Sequence, residues 1–166
     1  MKRRNLIVIA AAALTLSACG FQLRQAPNFA FNSIYIAAPG NSSLGAELRR
    51  TITHSSGLVV LDATGPRDTA QVALDVLSEQ REKVVVGLTA SGQVREFQLR
   101  TRVKFRLRTP QGKDLIPETE LLQQRDISFN ESAVLAKEAE ENLLYRDMQT
   151  DIVQQLMRRL AALKSL

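Results

Sequence analysis

The residue with the most specific chemistry in this sequence is Cys19, the only cysteine of the chain. It follows Leu16, Ser17 and Ala18, and small residues before a cysteine are typical of the site where bacterial lipoprotein precursors are cleaved and acylated. A single thiol cannot form an intrachain disulfide, and a free thiol is unusual in an oxidising compartment. Lipidation removes that free thiol, so the sequence predicts that Cys19 carries lipid.

Residues 1–18 have the composition of a secretion signal. Positions 2–4 are basic, and residues 6–16 are almost wholly apolar. That apolar run has about 11 residues, whereas a helix needs about 20 to span a bilayer. We therefore predict a lipoprotein signal peptide at 1–18 and a lipidated tether at 19–31. An ordinary secreted protein with a coincidental cysteine at its cleavage site is the alternative.

Gly20 indicates where the anchored chain resides. An aspartate at this position commonly retains lipoproteins in the inner membrane, so by resemblance to that sorting rule Gly20 predicts the outer membrane. Several acyl chains on Cys19 would hold the protein to the periplasmic side of that membrane, because each buried methylene contributes ~0.8 kcal/mol.

The charge of the mature chain is lower than that of the whole sequence. The 166 residues include 22 Lys and Arg and 17 Asp and Glu, and three of the basic residues lie in the predicted signal. Removing them leaves 19 basic and 17 acidic residues, a net charge of +2. Such a balance does not suggest nucleic-acid binding. Residues 32–166 are long enough for a single domain with a core.

A second chemical pattern is a row of cations at alternate positions, which we call the cation stripe. Its members are Arg100, Arg102, Lys104, Arg106 and Arg108. Apart from Thr101, the positions between and before them are apolar, namely Phe97, Leu99, Val103, Phe105 and Leu107. This period of two predicts a strand with one apolar face and one cationic face. Five cations within about 27 Å of strand, at ~3.4 Å per residue, repel one another and need either compensation or a use.

The following segment offers compensation. Residues 110–112, Pro-Gln-Gly, form a candidate hairpin loop that would pair Thr109 with Lys113. The resulting register sets Arg108 beside Asp114, Lys104 beside Glu118, and Arg102 beside Glu120. Arg100 and Arg106 then have no acidic residue opposite. Two interpretations stay open: a solvated face laced with cross-strand pairs, or a surface that faces phosphates.

The remaining patterns predict an α/β fold. Short strands are expected at 34–36, 58–61 and from 72 toward 86, and a helix at 44–55 capped by Ser42 or Ser43. A long helix follows Ser128 or Asn130, and its apolar stripe comprises Leu144, Met148, Ile152, Leu156, Leu160 and Leu163. That stripe most simply packs on the sheet, with partner binding as the alternative. We predict a two-layer sandwich: a mixed or antiparallel sheet of four to five strands, packed by one short and one long helix.

The residue types do not favour catalysis. His54 is the only histidine and lies beside Ser55 and Ser56 on a polar helix end. The sequence has no HExxH motif, no paired cysteines and no glycine-rich phosphate loop. We therefore predict no catalytic residues, no metal and no cofactor, and interpret the domain as a binding module.

Several segments resemble the LPS-assembly lipoprotein family LptE. They are Cys19-Gly20-Phe21-Gln22-Leu23-Arg24, Gly92-Gln93 before the alternating strand, Leu135-Ala136-Lys137-Glu138, and Tyr145, Met148, Gln155-Leu156 and Arg159-Leu160. The resemblance covers nearly all of the chain after Cys19. It implies an outer-membrane lipoprotein that plugs the lumen of the β-barrel protein LptD as a one-to-one heterodimer. It further implies that this pair places lipopolysaccharide in the outer leaflet and that the lipoprotein itself binds lipopolysaccharide.

The same resemblance suggests contact residues. Lys137 corresponds to a basic position linked to lipopolysaccharide contact in relatives. A second such position, just before the Gly92 turn, is occupied here by Ala90 or Ser91, so the site would draw on Arg95 or on the cation stripe. The predicted lipopolysaccharide or partner contacts are Arg100, Arg102, Lys104, Arg106, Arg108 and Lys137, with Arg100, Arg106 and Lys137 acting together on lipopolysaccharide.

A competing hypothesis comes from another functional class. The chain could be a pilot or structural lipoprotein that escorts a different barrel or a secretin through its helix or tether. The cation stripe would then be incidental, and lipopolysaccharide would not bind.

Overall fold

A computed structural model of the protein describes residues 28–61 and 65–166. The predicted signal peptide, Cys19 and the tether as far as residue 27 lie outside the described residues. No helix in the described part of the chain is long and apolar enough to cross a membrane.

The chain folds into a mixed five-stranded sheet with two helices. In chain order the elements are β1 (Ser33–Ala37), α1 (Ser43–Ser56), β2 (Val59–Leu61), β3 (Val72–Leu88), β4 (Val94–Arg108), β5 (Asp114–Ser128) and α2 (Val134–Ala161). The strand order is β2-β1-β3-β4-β5. β1 is parallel to β2 and β3, whereas β3, β4 and β5 form an antiparallel meander. The predicted two-layer sandwich with one short and one long helix is confirmed.

Both ends of α1 follow from local sequence. The Ser42 side chain accepts a hydrogen bond from the Gly45 backbone N–H at 2.9 Å, which satisfies one of the free donors of the first turn. Gly57 ends the helix in the left-handed region, at φ 63°. Of the two predicted capping residues, Ser42 and Ser43, the structure therefore selects Ser42.

The start of α2 resolves an alternative that the sequence left open. Asn130, not Ser128, is the capping residue: its side chain accepts from the Ser132 N–H at the head of a short 3-10 turn, Glu131–Ala133. α2 follows that turn. Its buried residues include four members of the predicted apolar stripe, Met148, Ile152, Leu156 and Leu160, and these lie in the core.

Along β4, one face of the sheet is apolar and the other is cationic, as the alternation of its residues predicts. Leu99, Val103, Phe105 and Leu107 are all fully buried beneath the helices, on what we call the covered face. The intervening side chains lie on the other side, the open face, and are only partly exposed. Phe31, at the end of the predicted tether, is 2% exposed and belongs to the core, so packing begins before residue 32.

The pairing of β4 with β5 differs from the predicted register. Arg108 does pair with Asp114, but two irregularities then shift β5 by two residues, so that Lys104 faces Glu120 and Arg102 faces Leu122. The predicted register, which placed Lys104 opposite Glu118 and Arg102 opposite Glu120, is therefore wrong. The shift surrounds Pro117, which has no N–H to donate to a ladder. Because two residues is one full period, every side chain keeps its face.

Stability should depend on which side of α2 is truncated. Leu156 is fully buried and Leu143 is 57% exposed on the same helix. We expect Leu156→Ala to lower the free energy of unfolding by about 2–5 kcal/mol, because it leaves a cavity in the core. Leu143→Ala, the matched control, should change it by no more than ~0.5 kcal/mol. Urea titration monitored by circular dichroism measures both, and equal losses would contradict this assignment of the core.

Candidate functional site

The cation stripe lies on the open face of the sheet, where β3 and β5 contribute carboxylates to it. Arg106 and Arg108 place their Nε atoms 3.1 Å and 2.9 Å from one Oδ2 of Asp75. Asp75 lies on β3 directly opposite Arg106 and is 6% exposed. The predicted register left Arg106 without an acidic residue across from it on β5; in the structure Arg106 finds one on β3. The prediction considered only the β4–β5 pair, because sequence does not state which strand lies on the other side of β4.

The middle of the stripe is also paired. Arg102 lies 2.6 Å from Glu120 and 4.0 Å from Glu82, so it bridges β5 and β3. Lys104 lies 3.7 Å from Glu118. These are the predicted partners, reached diagonally across the shifted register. Exposed pairs of this kind contribute ~0–1 kcal/mol each.

Arg100 differs from the other four members of the stripe. Its Nε donates to Gln98 Oε1 at 2.8 Å, and Gln98 in turn donates to Asp126 at 2.9 Å. Glu82 is its neighbour across the β3 pair. The open face thus carries alternating cations and carboxylates, and Arg100 is hydrogen-bonded to the side-chain amide of Gln98.

Lys137 lies on the other side of the sheet from the stripe. It belongs to the first turn of α2, and its Nζ donates to Ser128 Oγ at 3.0 Å and to Glu140 Oε2 at 2.8 Å. α2 packs on the covered face, so the sheet itself separates Lys137 from Arg100 and Arg106. The fold does not bring these three predicted contact residues into one site.

Lys137 instead borders a small cavity between α2 and the far ends of the three long strands. The cavity has a volume of about 70 Å³. Its apolar lining comes from Phe97, Ile127, Phe129 and Val134. Phe97 and Phe129 meet edge to face, with ring centroids 5.4 Å apart, which is a favourable aromatic geometry. We call this the aromatic cavity.

Lys83 is the second cation at the aromatic cavity, and sequence analysis missed it. Its Nζ lies 4.4 Å from the centroid of the Phe97 ring and donates to Glu141 at 2.6 Å. Two lysines, Lys83 and Lys137, therefore flank one apolar floor. Each is neutralised by a partly exposed glutamate of α2.

A β-bulge explains why Lys83 reaches the covered face. Val76 pairs with Phe105 and Ser78 with Lys104, so Leu77 is an extra residue in β3. Before the bulge the even-numbered side chains Leu74 and Val76 point into the core. After it the odd-numbered ones do, since Lys83 pairs with the fully buried Leu99. No residue type at this position signals a bulge, and the alternation alone assigns Lys83 to the wrong face.

The odd-numbered polar residues after the bulge hold α2 against β3. Arg81 donates to Gln149 Oε1 at 2.9 Å and lies 5.3 Å from the centroid of the Tyr145 ring. The Tyr145 hydroxyl donates to the Glu82 carbonyl oxygen at 2.9 Å. Burial raises the pKa of Tyr145, and the nearby Glu141 carboxylate raises it further. We call these contacts of Arg81, Gln149 and Tyr145 the polar seam. They fix the distance between α2 and β3, the elements that carry the aromatic cavity.

The described residues contain no group of three or more His, Cys, Asp or Glu side chains placed to hold a metal ion. His54 lies exposed near the end of α1, as its polar neighbours predict.

Comparison with known proteins identifies the family. Residues 31–160 match the family LptE, described as lipopolysaccharide-assembly. The chain belongs to the LptE family. It is 28% identical over 157 residues to a protein named LPS-assembly lipoprotein LptE from Pectobacterium atrosepticum, an alignment covering 93% of this chain and 83% of the relative.

Solved structures share the fold of this family member. Uncharacterized lipoprotein B from Nitrosomonas europaea superposes with a TM-score of 0.74 at 35% identity, covering 86% of this chain and 91% of that one. Rare lipoprotein B from Shewanella oneidensis gives 0.67 at 19% identity, covering 79% and 95%. A minor lipoprotein from Acinetobacter baumannii gives 0.64 at 21% identity, covering 81% and 93%.

Because the polar seam includes Tyr145, the free energy of unfolding should change with pH in the alkaline range. A tyrosine whose pKa is raised on folding contributes stability that is complete below its unfolded pKa of about 10 and is lost as pH rises through the folded value. We expect Tyr145→Phe to cost about 0.5–1.5 kcal/mol near neutral pH, since the bond to Glu82 is lost. The variant should also lose less stability than the parent between about pH 9 and pH 11. The free energy of unfolding of both proteins is measured by urea titration across this pH range. An equal decrease in the two proteins would contradict the role of Tyr145.

Proposed function

We propose that this LptE-family chain is an outer-membrane lipoprotein, anchored through Cys19, that occupies the lumen of the β-barrel LptD. In this role it assists assembly of the barrel and binds lipopolysaccharide on its way to the outer leaflet. The observation that carries the proposal is the family match over residues 31–160, which spans both sheet faces and the aromatic cavity. The name of the Pectobacterium relative, an LPS-assembly lipoprotein, agrees with it.

The aromatic cavity is the surface we assign to lipopolysaccharide. Lipid A presents phosphates beside acyl chains, and this end of the domain presents Lys83 and Lys137 beside an apolar floor. Lysine ammonium groups act on phosphate as point charges. Their present glutamate partners, Glu141 and Glu140, are partly exposed, so exchanging them for phosphate costs little. The exposed Val85 and Val134 continue the apolar surface outward.

The open face is the surface we assign to the barrel. The interior of a large barrel is polar, and a plug inside it must present side chains that remain satisfied against polar walls and water. The open face meets that requirement because its arginines and carboxylates alternate across three strands. The cation stripe thus serves partner contact, with Arg100 as the cation most available for a new hydrogen bond.

Charge reversal on the two faces separates these roles. We expect Lys83→Glu with Lys137→Glu to weaken lipopolysaccharide binding by about tenfold or more, equivalent to ~1.4 kcal/mol, because both point charges beside the phosphates change sign. The matched control, Arg100→Glu with Lys104→Glu on the open face, should leave that affinity unchanged. Binding to immobilised lipopolysaccharide measures the effect, with thermal unfolding as the check on folding. A larger loss in the open-face variant would overturn the assignment.

Affinity purification tests the partner. The tagged, lipidated protein is recovered from detergent-solubilised outer membrane, and stoichiometric partners are identified by mass spectrometry. We expect one large β-barrel at a one-to-one ratio, with lipopolysaccharide attached. Recovery of the lipoprotein alone, or with a secretin, would reject the plug role and favour a pilot lipoprotein.

A further inference from the structure

The outer edge of β3 lacks a neighbouring strand along its second half. β1 pairs with β3 only as far as Ala37 beside Asp75. From Val76 onward β3 is paired with β4 alone among the described strands. The Glu82 carbonyl oxygen accepts from the Tyr145 hydroxyl, and past that contact no described element covers the edge. We call residues 84–88 the free edge.

The backbone direction along the free edge can be assigned from β4. The Thr109 N–H donates to the Lys113 oxygen at 2.9 Å, so Thr109 points toward β5. N–H and C=O directions alternate along an antiparallel strand, and β4 has no extra residue between Thr109 and Gln98, so Gln98 points toward its partner Val84 on β3. The N–H and C=O of Val85, the next residue, therefore point outward, where no described group bonds to them.

The side chains of the free edge are apolar and exposed. Val84, Val85, Val86 and Leu88 are 37%, 45%, 47% and 58% exposed. No charged residue occurs between Lys83 and Arg95. Consecutive β-branched residues favour extended backbone, and an exposed apolar edge strand is a template for pairing with another strand.

The opposite edge of the sheet is protected by contrast. β5 carries Pro117, which cannot donate, and the irregular register around it disrupts a flat edge. Glu118, Glu120 and Asp126 add charge along its length. Natural sheets use these features to prevent edge pairing. The free edge has an irregular register too, around Gly87, but it carries neither a proline nor a charged residue. The absence of both favours a covered edge when the protein is in place.

We propose that the free edge binds an extended, uncharged segment of the barrel partner as an added β-strand. The inference rests on the proposed function. An extended backbone offers the outward N–H and C=O of Val85 an acceptor and a donor at strand spacing, whereas an acyl chain has neither. The strands that form the wall of a closed barrel already pair with neighbours on both sides. The added segment therefore comes from a loop or a terminal extension of the partner and not from a wall strand. A lumen that holds one copy leaves no room for a second chain as the added strand.

Two substitutions at one position separate backbone pairing from side-chain contact. Val85→Pro removes the outward N–H while leaving the β4 ladder its donors, since proline is tolerated on edge strands. Val85→Thr keeps the N–H and the branched shape but makes the side chain polar. We expect Val85→Pro to reduce the barrel recovered by affinity purification by about tenfold, the effect of ~1.4 kcal/mol. Val85→Thr should retain it.

Amide hydrogen exchange on the wild-type complex gives an answer that does not depend on the proline variant folding. Exchange at Val85 should slow by about tenfold or more in the purified complex relative to the isolated protein. Exchange at Leu122 on the protected edge should change less. Unchanged exchange at Val85 overturns the proposal.

The remaining outcomes are also decisive. Recovery of the barrel by both Val85 variants rejects the free edge as a contact, and loss by both indicates side-chain docking in place of strand addition. A concentration-dependent dimer of the isolated protein that Val85→Pro abolishes would assign the edge to a second copy. Failure of the wild-type protein to recover a barrel would instead reject the proposed function, and is distinguished from these by the wild-type control.

Discussion

The alternation of β4 decides which side of the sheet the helices can cover. Leu99, Val103, Phe105 and Leu107 all point one way and are fully buried, so α1 and α2 must both pack on that face. Removing such side chains from water contributes about 1.5–3 kcal/mol each. The arginines that alternate with them cannot be buried there without unpaired charge. The result is a sheet with one covered and one open face, and every later feature depends on that asymmetry.

The bulge at Leu77 changes what the covered face contains along its length. Near β1 the face is apolar, whereas beyond the bulge it carries Arg81 and Lys83 under α2. Arg81 is accommodated by Gln149 and the Tyr145 ring, which makes the far part of the domain a polar seam. Lys83 reaches Phe97 and the aromatic cavity for the same reason. One extra residue thus converts a structural face into a surface that combines lysines with aromatic rings.

The two cationic regions have different electrostatic character. On the open face, carboxylates of β3 and β5 lie within 4.0 Å of Arg102, Lys104, Arg106 and Arg108, so the stripe is compensated by its own sheet. At the aromatic cavity, Lys83 and Lys137 are paired with glutamates of α2 beside an apolar floor. A mixed-charge face suits a polar wall, while paired lysines next to exposed apolar surface suit an amphiphile with phosphates. The free edge of β3 adds a third surface, defined by backbone and not by charge.

The sequence by itself determined the elements whose signals are local. The period of β4, a serine cap on α1, the glycine turns and the stripe of α2 each depend on neighbouring residues, and the structure has them all. Tertiary structure decided the rest, because it depends on which strands lie side by side. The partner of Arg106 came from β3, the β5 register shifted at Pro117, and the sheet separated Lys137 from the stripe. Lys83 joined Lys137 only because an unsignalled bulge exchanged the faces of β3, and a one-residue shift moves every following side chain to the other side.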